Sequence, residues 1–135
     1  MNSTELRIGN LVEYCDEVVT VTGVTEENPF VNTITPDYLD YDEITPIPLT
    51  EEWLLEFGFV LNDSTKDFHF LEMRYWVKNS VMLFFNVRCE GTSFLTGHGS
   101  MRNGEYFVST FNWGTKSVHQ LQNLYFALTN EELKQ

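Results

Sequence analysis

The sequence predicts a mixed α+β fold, and three observations carry that prediction. Short runs rich in β-branched and aromatic residues recur through residues 5–49 and 59–112. Two stretches, about 50–57 and about 117–128, place apolar residues at helical spacing. Proline-, glycine- and asparagine-containing breaks separate these segments at intervals suited to short elements.

Residues Glu5 to Tyr14 alternate apolar and polar side chains around Gly9-Asn10, and Val18 to Val24 is strongly β-branched, so both read as strands. Cys15-Asp16-Glu17 is short enough to be the hairpin turn between them. Phe30 to Ile34 reads as a third strand after Asn28-Pro29, and Tyr38 to Leu49 as a fourth, bounded by Pro36, Pro46 and Pro48. Strands of this length and spacing suggest a small, strongly bent, SH3-like β-subdomain. Thr45-Pro46-Ile47-Pro48-Leu49 then marks a boundary, because two prolines in three residues force extended backbone.

Thr50 reads as the N-cap of a short helix, with Glu51 and Glu52 in its first turn and Gly58 at its end. Residues 59–112 read as an antiparallel sheet, with strands around Phe68 to Val77, Val81 to Val87 and Tyr106 to Phe111. Gly91 to Gly104, with four glycines and His98, reads as a long exposed loop. In the last helix, Val118, Leu121, Leu124, Tyr125 and Leu128 form the apolar stripe, while His119, Gln120, Gln122 and Asn123 fall mostly off it. Thr129 and Glu132 stand at capping-box spacing, consistent with a final short turn.

At 135 residues the chain is about one domain long, with a possible subdivision into a β-rich acidic part, 1–48, and an α+β part, 49–135. That length buries a core without help from disulfides or metals. Cys15 and Cys89 lie far apart, which suits a reducing compartment better than a disulfide framework. The opening MNSTELRIGNLVEY has neither a basic nor an apolar leader region, and no apolar run is long enough for a membrane span. The expectation is a cytoplasmic protein with no membrane contact.

The net charge of −12 is lopsided: residues 1–67 hold fifteen acids against Arg7 and Lys66, whereas residues 68–135 hold five acids and six bases. Phosphate-backbone binding draws on Lys and Arg, so direct nucleic-acid binding is not expected. Arg74, Lys78, Arg88 and Arg102 leave only a local basic patch open. Asp37, Asp40, Asp42 and Glu43, clustered within seven residues, are candidate contacts for a partner protein.

No spacing of His69, His98, His119, Cys15 and Cys89 matches a metal-ligand pattern, and neither metal nor cofactor is expected. A Cys89–His pair is conceivable, but Cys89 reads better as the end of a buried strand. Gly97-His98-Gly99-Ser100 lacks the nucleophile elbow's pattern. With Arg88 and Arg102 it forms a candidate small-ligand site, Arg88, Gly97, His98, Gly99 and Arg102, whose backbone N–H groups would face an anion.

Three blocks carry a resemblance: Leu6 to Val12 (LRIGNLV), Ile47 to Phe59 (IPLTEEWLLEFGF), and Val118 to Thr129 (VHQLQNLYFALT) with Glu131-Glu132-Leu133. Together they resemble a family of small uncharacterised proteins encoded by phages and mobile elements of gut Bacteroidetes. The chain departs from that pattern at Asn130, where glycine is usual, and in the segment 90–114. The resemblance implies a phage or prophage setting and no reaction type. The functional expectation is therefore a non-enzymatic accessory or interaction protein that acts on a host protein, with small-ligand (nucleotide-type) binding or sequestration as the alternative.

Overall fold

Two tight turns shape the N-terminal lobe. The chain first reverses over Arg7–Asn10, where Gly9 takes a φ of +94° that side chains with a Cβ rarely adopt. Asn10 closes this turn twice, donating its backbone N–H to the Arg7 carbonyl (3.1 Å) and accepting the Arg7 N–H on its side-chain oxygen (2.7 Å). Such local bonds compete with a β-ladder, and the alternating stretch 5–14 becomes strand only over its second part, β1 (Leu11–Tyr14). The second turn links β1 to β2 (Glu17–Val24), with Tyr14 opposite Glu17. Cys15 and Asp16 form its two-residue loop, both at positive φ (50° and 61°), as the twist of a tight hairpin requires.

The computed structural model describes residues 1–33, 39–62, 73–79, 81–86, 94–102 and 105–135; for residues 62, 73–75, 84–86, 94–102 and 105–114 it describes the backbone alone. β3 (Pro29–Val31) and β4 (Ile44–Thr45) complete a four-stranded antiparallel sheet in the order β3-β2-β1-β4. The fourth strand expected over 38–49 is only two residues long. A 3-10 turn, Tyr41–Glu43, occupies the chain before it, and the Glu43 carboxylate accepts the Asp40 N–H at 2.8 Å. Val12, Val19, Val21 and Ile44 face inward with Leu6 and Leu39 to form this lobe's apolar cluster.

Beyond the proline boundary the chain pairs with the approach to the last helix. Pro46 and Pro48 have no N–H to give, and the bonds run through their neighbours. Leu49 donates to the Lys116 carbonyl (2.9 Å), and the Ile47 carbonyl accepts from Val118 (3.0 Å). α1 (Glu51–Glu56) follows. It ends in a Schellman motif: Gly58, at φ +79°, donates to Leu55 (3.0 Å) and Phe59 donates to Leu54 (2.9 Å).

The second sheet is an antiparallel meander of β5 (Val60–Asn62), β6 (Met73–Lys78), β7 (Val81–Asn86), β8 (Phe94–Arg102) and β9 (Glu105–Thr115), neighbours in that order. β8 corrects the reading of 91–104 as an exposed loop. Its composition is glycine-rich, but strand formation depends more on ladder partners than on intrinsic preference. β7 and β9 supply such partners on both sides of its first half.

α2 (Val118–Thr129) ends at Asn130 in the left-handed conformation (φ 58°, ψ 24°), the place where an asparagine can stand for glycine. Thr129 does not pair with Glu132 in a capping box. Its hydroxyl donates to the Tyr125 carbonyl (2.7 Å), and Glu132 reaches Arg7 instead. The main apolar cluster lies where α1, α2 and the second sheet meet, with Leu54, Phe57, Trp76, Leu83, Leu121 and Tyr125 at its centre. Mixed helix and antiparallel strand is thus the observed class.

Candidate functional site

The acidic residues of the N-terminal lobe converge more than their order in the chain shows. The turn at Thr25–Asn28 is tied to the segment before the 3-10 turn by two bonds. Asn28 Nδ2 donates to the Leu39 carbonyl (2.9 Å), and the Tyr41 hydroxyl donates to the Thr25 carbonyl. This brings Glu26 and Glu27 beside Asp40, Asp42 and Glu43, and all five are exposed. The sequence reading found the last three and missed the first two, because the cross-link between turns was not legible. Asp37, the fourth expected contact, lies outside the described residues. Arg7, the basic residue of residues 1–45, is turned away to Glu132 (2.9 Å) and neutralises none of this patch.

The expected small-ligand set is placed differently from the expectation. Gly97 and His98 are paired with Met82 and Val81 of β7 and with Thr110 and Ser109 of β9, while Gly99 pairs with Val108. Backbone groups engaged in two ladders are not available to cradle an anion, as a free glycine turn's would be. Arg102 closes the β8–β9 register opposite Glu105, and Arg88 lies outside the described residues. Cys89 also lies outside them, whereas Cys15 is free and exposed on its hairpin. Among the described residues no group of three or more His, Cys, Asp or Glu is placed to hold a metal ion. No helix among them is long and apolar enough to cross a membrane.

Between the two apolar clusters runs a polar seam. Gln122, buried on α2, accepts the Leu11 N–H (2.8 Å) and donates to the carbonyls of Gly9 (3.2 Å) and Leu133 (3.4 Å). Asn123 accepts from Asn10 Nδ2 (2.9 Å) and donates to the Glu5 carbonyl (2.8 Å). Arg7 lies over the Phe126 ring, 3.8 Å from its centroid, and pairs with Glu132. Such a contact combines cation–π attraction with the ion pair. The segments 6–12, 47–59 and 118–133 therefore meet around α2. They build the junction that fixes the acidic lobe on the rest of the chain.

At the start of α2 lies a cleft of about 370 Å³, lined by Glu5, Pro46, Pro48, Lys116, Ser117 and His119 among others. Ser117 occupies the N-cap position, but its hydroxyl makes no cap bond and instead meets His119 Nδ1 at 3.1 Å. Helical spacing had put His119 and Gln122 off the apolar stripe; both are buried, Gln122 against the turn before β1 and His119 beside Ser117 at the cleft that Pro46 and Pro48 help to line. Burial holds the His119 pKa below the ordinary histidine value, with the Glu5 carboxylate opposing.

The sign of the pH effect follows. A histidine whose folded pKa is lowered leaves stability unchanged above its unfolded value of about 6.5. As pH falls through that value the unfolded chain takes up the proton first, so stability is lost down to the folded pKa. Urea denaturation at pH 7.5 and pH 5 is expected to show an acid loss in the native protein that is smaller in His119→Gln. Equal pH dependence of the two proteins would show that His119 does not titrate in this way.

No protein-family model, no curated protein and no solved structure matches this chain.

Proposed function

We propose that the protein is a non-enzymatic interaction protein whose acidic N-terminal lobe docks on a basic surface of a partner protein. The observation that carries this reading is the patch of Glu26, Glu27, Asp40, Asp42 and Glu43, exposed together on a lobe whose arginine is committed elsewhere. A concentrated field of one sign accelerates encounter with an oppositely charged partner and selects against like-charged ones. The same field repels nucleic-acid phosphates, which favours a protein as the partner.

The resemblance to phage and mobile-element proteins of gut Bacteroidetes supports an accessory role in the host cytoplasm, with a host protein as the target. The small antiparallel lobe of β1 to β4 is read as SH3-like on the strength of its four short strands and tight turns. In this reading the lobe presents the patch, and the polar seam holds the lobe in a fixed orientation for docking.

The test is charge reversal on an intact fold. Glu26→Lys combined with Asp42→Lys replaces exposed side chains and is expected to leave the circular dichroism and melting temperature nearly unchanged. Partner capture from host lysate is expected to fall by about tenfold or more, and to weaken in the native protein as salt rises. Capture by the variant equal to that of the native protein, at every salt concentration, would sink the proposal.

A further inference from the structure

We propose that the groove between α1 and the β5 edge binds an extended segment of a partner protein, one that carries apolar residues together with lysine or arginine. The groove, about 570 Å³, is lined by Leu55 of α1 and by Phe59, Val60, Leu61 and Trp76. Phe59 and Trp76 are buried, whereas Leu55 and Val60 are 62% and 65% exposed. A single exposed apolar residue is ordinary on a protein surface. Two that share one groove, over buried aromatic rings, form a patch whose covering removes apolar area from water.

The sheet edge sets the shape of what fits. β5 is the first strand of the second sheet and has a strand neighbour on one side only among the described residues. Neither Lys nor Pro occurs in Val60-Leu61-Asn62 to blunt that edge. Val60 and Leu61 are successive strand residues and so show opposite faces of the sheet, yet both line the groove. The groove therefore follows the edge, which suits a strand laid alongside β5 better than a helix laid across one face.

Charge selects the partner. Glu51 and Glu52 of α1 also line the groove, and among the described residues no Lys or Arg does. Glu51 is fixed there by Trp76, whose Nε1 donates to its Oε1 at 3.3 Å. Carboxylates beside apolar side chains complement a segment in which basic and apolar residues alternate. A second copy of the chain fits poorly, because a twofold contact sets a patch against itself. It would bring these carboxylates together on a chain of net charge −12. The groove is built by α1 and the second sheet, so the proposal does not rest on the acidic patch of the N-terminal lobe.

The experiment is selection from a random peptide display library on the full chain, followed by titration of the enriched peptides. Sequences in which apolar residues alternate with lysine or arginine are expected. Val60→Lys and, separately, Leu55→Lys replace exposed side chains and are expected to leave the melting temperature nearly unchanged. Each is expected to weaken peptide binding by about tenfold or more. Glu52→Gln is expected to weaken it about threefold and to flatten its salt dependence. The Glu26→Lys, Asp42→Lys variant is expected to bind these peptides as the native protein does, which separates this groove from the acidic patch. No enriched family, or one that binds Val60→Lys and Leu55→Lys as tightly as the native chain, would overturn the proposal. Concentration-dependent dimerisation abolished by Val60→Lys would also overturn it, in favour of a second copy.

Discussion

Replacing Tyr125 with alanine is expected to cost about 3–5 kcal/mol of stability, the range for removing a buried aromatic ring. Tyr125 is 1% exposed, near the centre of the main apolar cluster. Its ring meets Phe59 edge-on, with centroids 6.2 Å apart, and Lys78 Nζ sits 5.7 Å from its centroid. Its hydroxyl accepts a bond from Asn79, in the turn between β6 and β7. One side chain thus joins α2 to the end of α1 and to the second sheet. Tyr125→Phe keeps the ring and removes the bond, and is expected to cost about 1 kcal/mol. The check is urea denaturation of both variants. A loss below about 1 kcal/mol for the alanine variant would mean that α2 is not packed on the sheet as described.

The seam is the second place where a single substitution should matter greatly. Gln122→Leu has nearly the same volume, yet it removes the partner of the Leu11 N–H and of the Gly9 and Leu133 carbonyls together. A buried backbone group left without a partner costs about 1–3 kcal/mol. Water reaching part of the seam would reduce the sum, so a loss of about 2–4 kcal/mol is expected. Hydrogen exchange should then show faster exchange at Leu11 and its β1 neighbours, with the centre of the second sheet affected less. Gln122→Leu with stability equal to the native protein would show that the lobe does not depend on these bonds.

Residues 50–58 and 117–130 were legible because their signals are local: an apolar stripe of helical period, a cap and a residue suited to positive φ. α1 and α2 fall within a residue or two of their expected limits, and Asn130 ends α2 in the left-handed conformation. The β1–β2 hairpin was legible for the same reason. β8 was misread because its glycines speak for a loop, whereas its partners lie in β7 and β9, which local pattern cannot see.

Residues 5–10 were misread as strand because apolar alternation carries no record of the Asn10 side chain closing its own turn. The placement of the candidate residues was legible to a similar degree. Asp40, Asp42 and Glu43 were visible as a run, while Glu26 and Glu27 joined them only through the Asn28 and Tyr41 bonds. His119 was passed over as part of the polar face of the last helix. Only tertiary packing, with the turn before β1 laid against α2, explains why the polar residue Gln122 is buried.

The proposal of an acidic docking lobe is tested most directly by native mass spectrometry of the protein recovered from host-cell lysate at low salt. A mass gain of thousands of daltons is expected, lost on raising the salt and absent for the Glu26→Lys, Asp42→Lys variant. A bare monomer or homo-oligomer, or a gain of only hundreds of daltons that both proteins share, would contradict it.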